Sequence, residues 1–280
     1  MDERESTALV LGGGGITGIA WELGILTGLA RAGLDLTDAD VVVGTSAGSV
    51  VGAQITSGVS LEDLYAVQLE PADHEIGGRL SRVAALKLVP PFLLPGSGQD
   101  KLARVGRVAR SAHAPGSVDR EGVIRSRLPM EGWPGRDLRV TAVDVDSGAF
   151  TVFTSDSGVD LVSAIAASCA VPTVWPPVEI DGHFYMDGGM RSTANVDLVR
   201  GADRVVVLAP LPRSLSRATS IRAQLESAGP REWSLVTPDP ESLAAFGRNL
   251  LDPAKRGVAA EAGLRQAQGL VEELRHVWSA

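Results

Sequence analysis

Several residue types are scarce in this chain, and each shortage excludes something. One cysteine, Cys169, among 280 residues leaves no internal disulfide and no cysteine cluster for a metal. Only three lysines occur (Lys87, Lys101 and Lys255) against many arginines, which by itself excludes no function; the net charge of −8 is what makes a nucleic-acid footprint unexpected. Four histidines, His74, His113, His183 and His276, are all the imidazoles a general base can be drawn from. No apolar run reaches the ~18 residues of a membrane span; the longest candidates are cut by Lys87, Pro172 or serines. The opening Met1-Asp2-Glu3-Arg4-Glu5 is charged and unlike a signal peptide, which points to a soluble cytoplasmic protein.

What is present suits one large α/β domain over 1–280, with 44% hydrophobic and 21% charged residues. Residues 7–11 and 41–43 read as buried strands. Helices are expected at 17–32, with Gly33 as C-cap, at 47–57, and from the cap-like Ser60 to residue 70. This alternation predicts a three-layer fold, a mostly parallel central sheet covered by helices. Residues 71–135, with Pro90-Pro91 and Pro95, read as a lid-like insertion. Hairpins follow at 138–154 and 178–186, turned at Asp146-Ser147-Gly148 and Asp181-Gly182, with a helix at 160–169 between them. A buried strand is expected at 204–209, and a helical region from about 214 to 280.

Two glycine-rich turns each join a strand to a helix. Gly44-Thr45-Ser46-Ala47-Gly48 matches G-x-S-x-G. In that turn the serine projects above the sheet edge, and glycines such as Gly44 and Gly48 leave room for the backbone. The alternative is a simple βα turn whose Ser46 caps the helix. The other turn, from Leu11 to Gly18, contains G-x-G-x-x-G in Gly13, Gly15 and Gly18, so dinucleotide binding is a further alternative. That use needs an acid near the end of the second strand, but Asp35, Asp38 and Asp40 all precede it. The same loop, at a helix N-terminus, offers backbone N–H groups to a developing oxyanion. Adjacent parallel strands would bring both turns to one pocket.

A nucleophilic serine needs a base. His183 is the histidine to test, because it stands just before Asp187. Asp187 itself lies in Tyr185-Met186-Asp187-Gly188-Gly189, a hairpin end that can aim a carboxylate and can equally be a plain turn.

The glycine loop 12–18, the elbow 44–48 and Asp187-Gly188-Gly189, in this order, resemble the patatin-like phospholipase family. Ala167-Ser168-Cys169-Ala170-Val171-Pro172 and Pro176-Pro177 are similar to the family's pattern too, and the resemblance covers about 8–208. It implies a Ser–Asp dyad without histidine, with Ser46 as nucleophile and Asp187 as base. It implies oxyanion-hole positions at Gly13, Gly14 and Gly15, hydrolysis of lipid acyl esters through an acyl-enzyme, and no metal or other cofactor. The chain departs from the family at Thr17, where Arg or Lys is usual, and this weakens the expectation of a phospholipid preference. Two other readings stand beside the dyad: a noncatalytic lipid- or acyl-binding protein on the same fold, and a Ser-His-Asp esterase using His183.

The expected partner is a lipid ester. Leu86, Leu88, Phe92, Leu93 and Leu94 would line an acyl path or touch a bilayer, unless they pack a helix onto the core. A helix at 100–111 carries Arg104, Arg107 and Arg110, which suits transient contact with anionic head groups.

Overall fold

Short runs rich in valine and leucine form the middle of the molecule, and their period of two sends alternate side chains into two different cores. The computed structural model describes residues 5–71, 77–78, 82–112, 119–213 and 217–279. The strands are β1 (Thr7–Leu11), β2 (Val41–Gly44), β3 (Asp137–Asp144), β4 (Phe150–Phe153), β5 (Val178–Ile180), β6 (His183–Asp187), β7 (Arg204–Leu208) and β8 (Glu232–Val236). Among the described residues they make one sheet in the order β5-β6-β3-β2-β1-β7-β8, with β4 also paired to β3. The run β3-β2-β1-β7-β8 is parallel, and β4, β5 and β6 join antiparallel at one end.

The helices are α1 (Gly15–Arg31), α2 (Ala47–Ile55), α3 (Leu61–Leu69), α4 (Arg82–Leu93), α5 (Gly98–Ala112), α6 (Arg120–Arg125), α7 (Leu161–Ser168), α8 (Ile221–Ala228), α9 (Pro240–Phe246), α10 (Arg256–Ala267) and α11 (Val271–Ser279). Leu9, Leu11, Val42 and Val206 face the larger core, which α1, α2, α7 and α10 close. Ala8, Val10, Val43 and Val205 face the other core, covered by Val196, Val199 and the Ile221 and Leu225 side chains of α8. A third cluster sets Leu102, Val105 and Ala109 of α5 against Val143, Val145 and Met186. The sheet thus lies between two helical layers, as the alternation implied.

α10 packs on α1 with almost no spacing. A Cβ at Gly24 would strike the Ala260 carbonyl, and one at Gly28 would lie 2.5 Å from the Ala267 Cβ. The C-terminal third of the chain is thereby locked onto the first helix. It is not all helical: Glu232–Val236 forms β8, the parallel edge strand beside β7, inside the region read as mostly helical. In the segment read as an insertion, residues 72–76, 79–81 and 113–118 lie outside the described residues, and with them His74 and His113. Within that segment Leu88 and Phe92 of α4 pack on the third cluster, while Leu86, Leu93 and Leu94 are exposed. Arg104 of α5 donates to the Pro95 carbonyl at 2.7 Å, and Arg110 pairs with Asp146 at 2.5 Å, so two of the three head-group arginines are engaged within the fold. Among the described residues no helix is long and apolar enough to cross a membrane.

One group in α1 is buried against its chemistry. Glu22 is fully buried, neither carboxylate oxygen has a hydrogen-bond partner, and the Gly12 N–H that faces it is given to the Leu208 carbonyl at 2.9 Å. Burial pushes its pKa well above the ordinary value. The native state therefore holds a proton that the unfolded chain releases above about pH 4.3, so stability falls as pH rises from there. Glu22→Gln removes this dependence. In denaturant unfolding the variant should gain on the wild type by about 1.4 kcal/mol per pH unit above about 4.3, until the native carboxyl ionises. A gap that stays constant between pH 4.5 and 7 would show Glu22 to be ionised in the fold.

Candidate active site

Strand register brings the two turns together. Val140 of β3 pairs with both Gly44 and Phe153, and Ala142 pairs with both Thr151 and Asp187. A strand residue has one neighbour on each side. Phe153 and Thr151 both belong to β4, so Gly44 and Asp187 lie together on the opposite edge of β3. β2 runs along that edge to Gly44, and β6 comes the other way to stop at Asp187. The two strands meet end to end, two residues apart in β3 register, and Ser46 stands two residues beyond Gly44.

Ser46 has φ 54° and ψ −117°, a conformation that costs a non-glycine residue about 1–3 kcal/mol. Its surroundings enforce it. A Cβ at Gly48 would collide with the Leu11 carbonyl, and one at Gly44 would sit 2.5 Å from the Ser49 Cα. The Gly48 N–H donates to the Gly12 carbonyl at 3.0 Å, which ties the elbow to the first glycine loop. From α7, the Ser168 hydroxyl accepts the Ser46 N–H at 2.9 Å, and the Cys169 thiol donates to the Ser46 carbonyl at 3.3 Å. The next carbonyl, of Ala170, accepts the Asp187 N–H at 3.0 Å. Three consecutive residues thus brace both ends of the β2–β6 junction.

Asp187 is 4% exposed. Burial raises its pKa to about 6, opposed by the Ser46 hydroxyl, the Gly189 N–H and the charge of Arg120. The Gly189 N–H lies 2.7 Å from Oδ1. The Ser46 hydroxyl is near enough to favour the ionised carboxylate, although the pair is not drawn up to full hydrogen-bond geometry. Sites without substrate commonly leave that last tightening to the complex. Beneath the pair, Asn195 donates to Thr45 Oγ1 at 3.0 Å, to the Ser192 carbonyl at 2.9 Å and to the Gly188 carbonyl at 3.3 Å. Thr141 donates to Thr45 Oγ1 at 3.0 Å. No local pattern marks Thr141, Ser168 or Asn195 as supports of the turn, because the groups they hold are remote in the chain.

The first loop flanks the elbow: a Cβ at Gly13 would lie 3.6 Å from that of Ser46. The three expected oxyanion positions are not equivalent. The Gly13 N–H is given to the Thr193 carbonyl at 2.8 Å, whereas those of Gly14 and Gly15 have no partner among the described residues. Thr17 is fully buried, and its N–H donates to the Leu250 carbonyl at 3.1 Å. His183 does not serve Ser46. It stands at the far end of β6, its side chain is 67% exposed, and its Nδ1 lies 3.3 Å from Asp144.

Ser46 and Asp187 open into one cavity of about 360 Å³, lined by Gly13, Gly14 and Gly15 on one side. Its apolar wall comes from Ile16, Ile19, Val174, Trp175, Leu250 and Leu251. None of the α4 leucines takes part; the apolar wall is built by α1, the segment after α7 and the segment before α10.

The family model described as patatin-like phospholipase matches residues 9–200. Among solved structures, VipD from Legionella pneumophila matches 96% of this chain and 67% of its own, at 15% identity and a TM-score of 0.52. The ExoU–SpcU complex of the Pseudomonas aeruginosa type III secretion system matches 99% of this chain at 18% identity and a TM-score of 0.44. This chain spans about half of that protein, 53%. At such identities the likeness to VipD concerns the fold alone.

The close approach at Gly48 gives a direct check. Gly48→Ala forces its methyl against the Leu11 carbonyl, so the variant should lose several kcal/mol of stability or fail to fold, as overpacked sites do. Gly58→Ala, where nothing lies within 4 Å, controls for loss of glycine itself, with a smaller penalty from its φ of 89°. Equal melting temperatures for Gly48→Ala and wild type would mean that loop and elbow are not in contact.

Proposed function

The chain belongs to the patatin-like phospholipase family, and we propose that it is a serine hydrolase of lipid acyl esters working through Ser46 and Asp187. Family membership supports lipid hydrolase activity; the assignment of roles rests on the end-to-end meeting of β2 and β6. That meeting sets a strained serine and a dry carboxylate on one cavity wall, with no histidine among the described residues that line the cavity.

The chemistry follows from the groups present. Asp187, ionised at neutral pH but more basic than an aspartate in water, accepts the Ser46 proton as Oγ attacks the ester carbonyl. The carbonyl oxygen becomes an oxyanion, and the unpartnered Gly14 and Gly15 N–H groups at the start of α1 are its donors. When the tetrahedral centre collapses, the alcohol leaves with the proton held by Asp187, and the acyl group stays on Ser46. Water then attacks the acyl-enzyme with Asp187 again as base, and Oγ is released reprotonated. Raising the carboxylate towards neutrality improves the proton match in both halves.

Ser46→Ala should abolish both labelling by a fluorophosphonate and hydrolysis of a p-nitrophenyl acyl ester. Asp187→Asn should lower kcat by about 10²–10⁴. In the wild type kcat/KM should rise with pH through about 6 and then level off, because the active form is the deprotonated carboxylate. Persistent labelling of the Ser46→Ala protein would remove the nucleophile assignment, and an unaltered pH limb in Asp187→Asn would remove the base.

A further inference from the structure

α4 takes no part in the cavity wall, yet it is apolar on two sides. Pro91 is buried, and Leu88 and Phe92 pack inward on the third cluster. Leu86, Val89 and Leu93, three and four residues apart, form a second row facing away from it. They are 67%, 47% and 78% exposed, and Leu94 just beyond the helix is 52% exposed. No acid occurs in α4. A helix that is apolar all round is normally covered, and a bare apolar row on a surface marks a contact.

α5 packs beside α4 on the same cluster, through Leu102, Val105 and Ala109. Two helices resting on one cluster turn their opposite faces the same way. On α5 the positions opposite those three residues include Arg104 and Arg107. Arg104 ties the helices together through the Leu94 and Pro95 carbonyls, and Arg110 is paired with Asp146. Arg107 is exposed, and neither it nor Lys101 has an acidic partner among the described residues. From Arg82 to Ala112 six basic residues stand against Asp100 alone, so this span carries +5 in a chain of −8. The hairpin of α4 and α5 also stands close to the cavity. Met190 lines the cavity and packs on the cluster beneath α4. A Cβ at Gly78 would lie 2.9, 3.0 and 3.1 Å from Val174, Trp175 and Leu251, all cavity residues. Arg82 is four residues further, so α4 begins within roughly 14 Å of that wall.

We propose that the outward face of the α4–α5 hairpin docks the protein on an anionic lipid bilayer. The choice of a bilayer as occupant rests in part on the hydrolase reading above, because the face stands beside the cavity. The charge argues for it independently: an otherwise acidic chain gathers its cations next to its exposed leucines, and that pairing suits acyl chains under anionic head groups. A second copy of the chain fits this face poorly, since a two-fold contact would set +5 against +5. The 12 residues of α4 extend about 18 Å, too short to cross a bilayer. The helix instead lies in the interfacial plane, with Leu86, Val89 and Leu93 turned to the acyl chains and Lys101 and Arg107 at the phosphates.

The test is co-sedimentation of the Ser46→Ala protein with vesicles, so that turnover does not enter the readout. One set is phosphatidylcholine alone; the other is three parts phosphatidylcholine to one part phosphatidylglycerol. The protein should pellet with the anionic set, weakly with the neutral set, and less as salt is raised. Leu86→Gln combined with Leu93→Gln should lower the partition coefficient by about 10–100-fold, and Arg107→Gln by about fivefold at low salt. These side chains are exposed, so the melting temperature should not move. Binding that survives the leucine pair, or that is equal on the two sets, would overturn the proposal. So would a protein that is dimeric without vesicles and becomes monomeric with the leucine pair, which would give the face to a second copy. With Ser46 intact, the leucine pair should leave hydrolysis of soluble p-nitrophenyl butyrate unchanged and slow hydrolysis of vesicle lipid. Equal losses on both would make α4 a support of the cavity and overturn the docking role. Pelleting as expected by a protein that hydrolyses neither ester would sink the hydrolase reading and leave the surface standing. Hydrolysis of the soluble ester without pelleting would overturn the surface alone.

Discussion

Asp187 sits almost without water at the head of β6, and what solvation it has comes from three groups: the Gly189 N–H, the Ser46 hydroxyl and the field of Arg120. They offset burial only in part, which leaves the carboxyl at a pKa of about 6. Against an ordinary aspartate near 3.9 that shift corresponds to about 3 kcal/mol of unfavourable ionisation at neutral pH. The sign is that of a raised acid: the fold is most favoured below about pH 4, and this contribution is lost as pH rises through 6. The protein tolerates the charge because everything touching Asp187 is fixed from outside the turn. The Ala170 carbonyl holds its N–H, β3 holds its register, and Asn195 holds the carbonyl of Gly188.

The strain at Ser46 and the buried charge at Asp187 fall on adjoining residues and share one brace. Ser168, Cys169 and Ala170, the end of α7 and the two residues beyond it, reach the serine amide, the serine carbonyl and the aspartate amide in turn. Cys169 is buried and its thiol pKa is pushed up to about 11, so it stays an inert donor rather than a nucleophile. Its carbonyl accepts from Arg120. Ser46, Asp187 and Arg120 are therefore positioned by one segment of backbone, and a displacement of α7 moves all three together.

The sheet was legible in the sequence because its signals are local: valine runs that end at Gly12 and Gly44, hairpins turned at Gly148 and Gly182. β8 was not. Glu232-Trp233-Ser234-Leu235-Val236 begins with a charge and has polar and half-buried positions, as an edge strand with one neighbour does. In the site, Ser46 and Asp187 could be found by pattern, but the Gly13 N–H partner lies at Thr193, and nothing near residue 13 announces it. His183 drew attention through closeness in sequence. On a strand, four residues put it roughly 13 Å from Asp187, pointing at Asp144 instead. Arg120 stood in a stretch without period or motif, and only the folded chain shows that its side chain has nowhere to go but the cavity wall.

Thr17 and Arg120 make sense together. Position 17 is fully buried in the first turn of α1, where both the amide and the hydroxyl of Thr17 reach the Leu250 carbonyl. A lysine or arginine there would have to displace the segment before α10 or bury an unpaired charge, at several kcal/mol. Leu250 and Leu251 belong to the apolar wall of the cavity, so that displacement would also open the wall. A hydroxyl at position 17 keeps the wall closed, and the cation that does line this cavity, Arg120, comes from another element. Arg120 can be buried where Thr17's replacement cannot, because Trp175 offers its ring face and Asp187 its charge. The loop thus presents amides alone, and the buried cation of the cavity wall stands on α6.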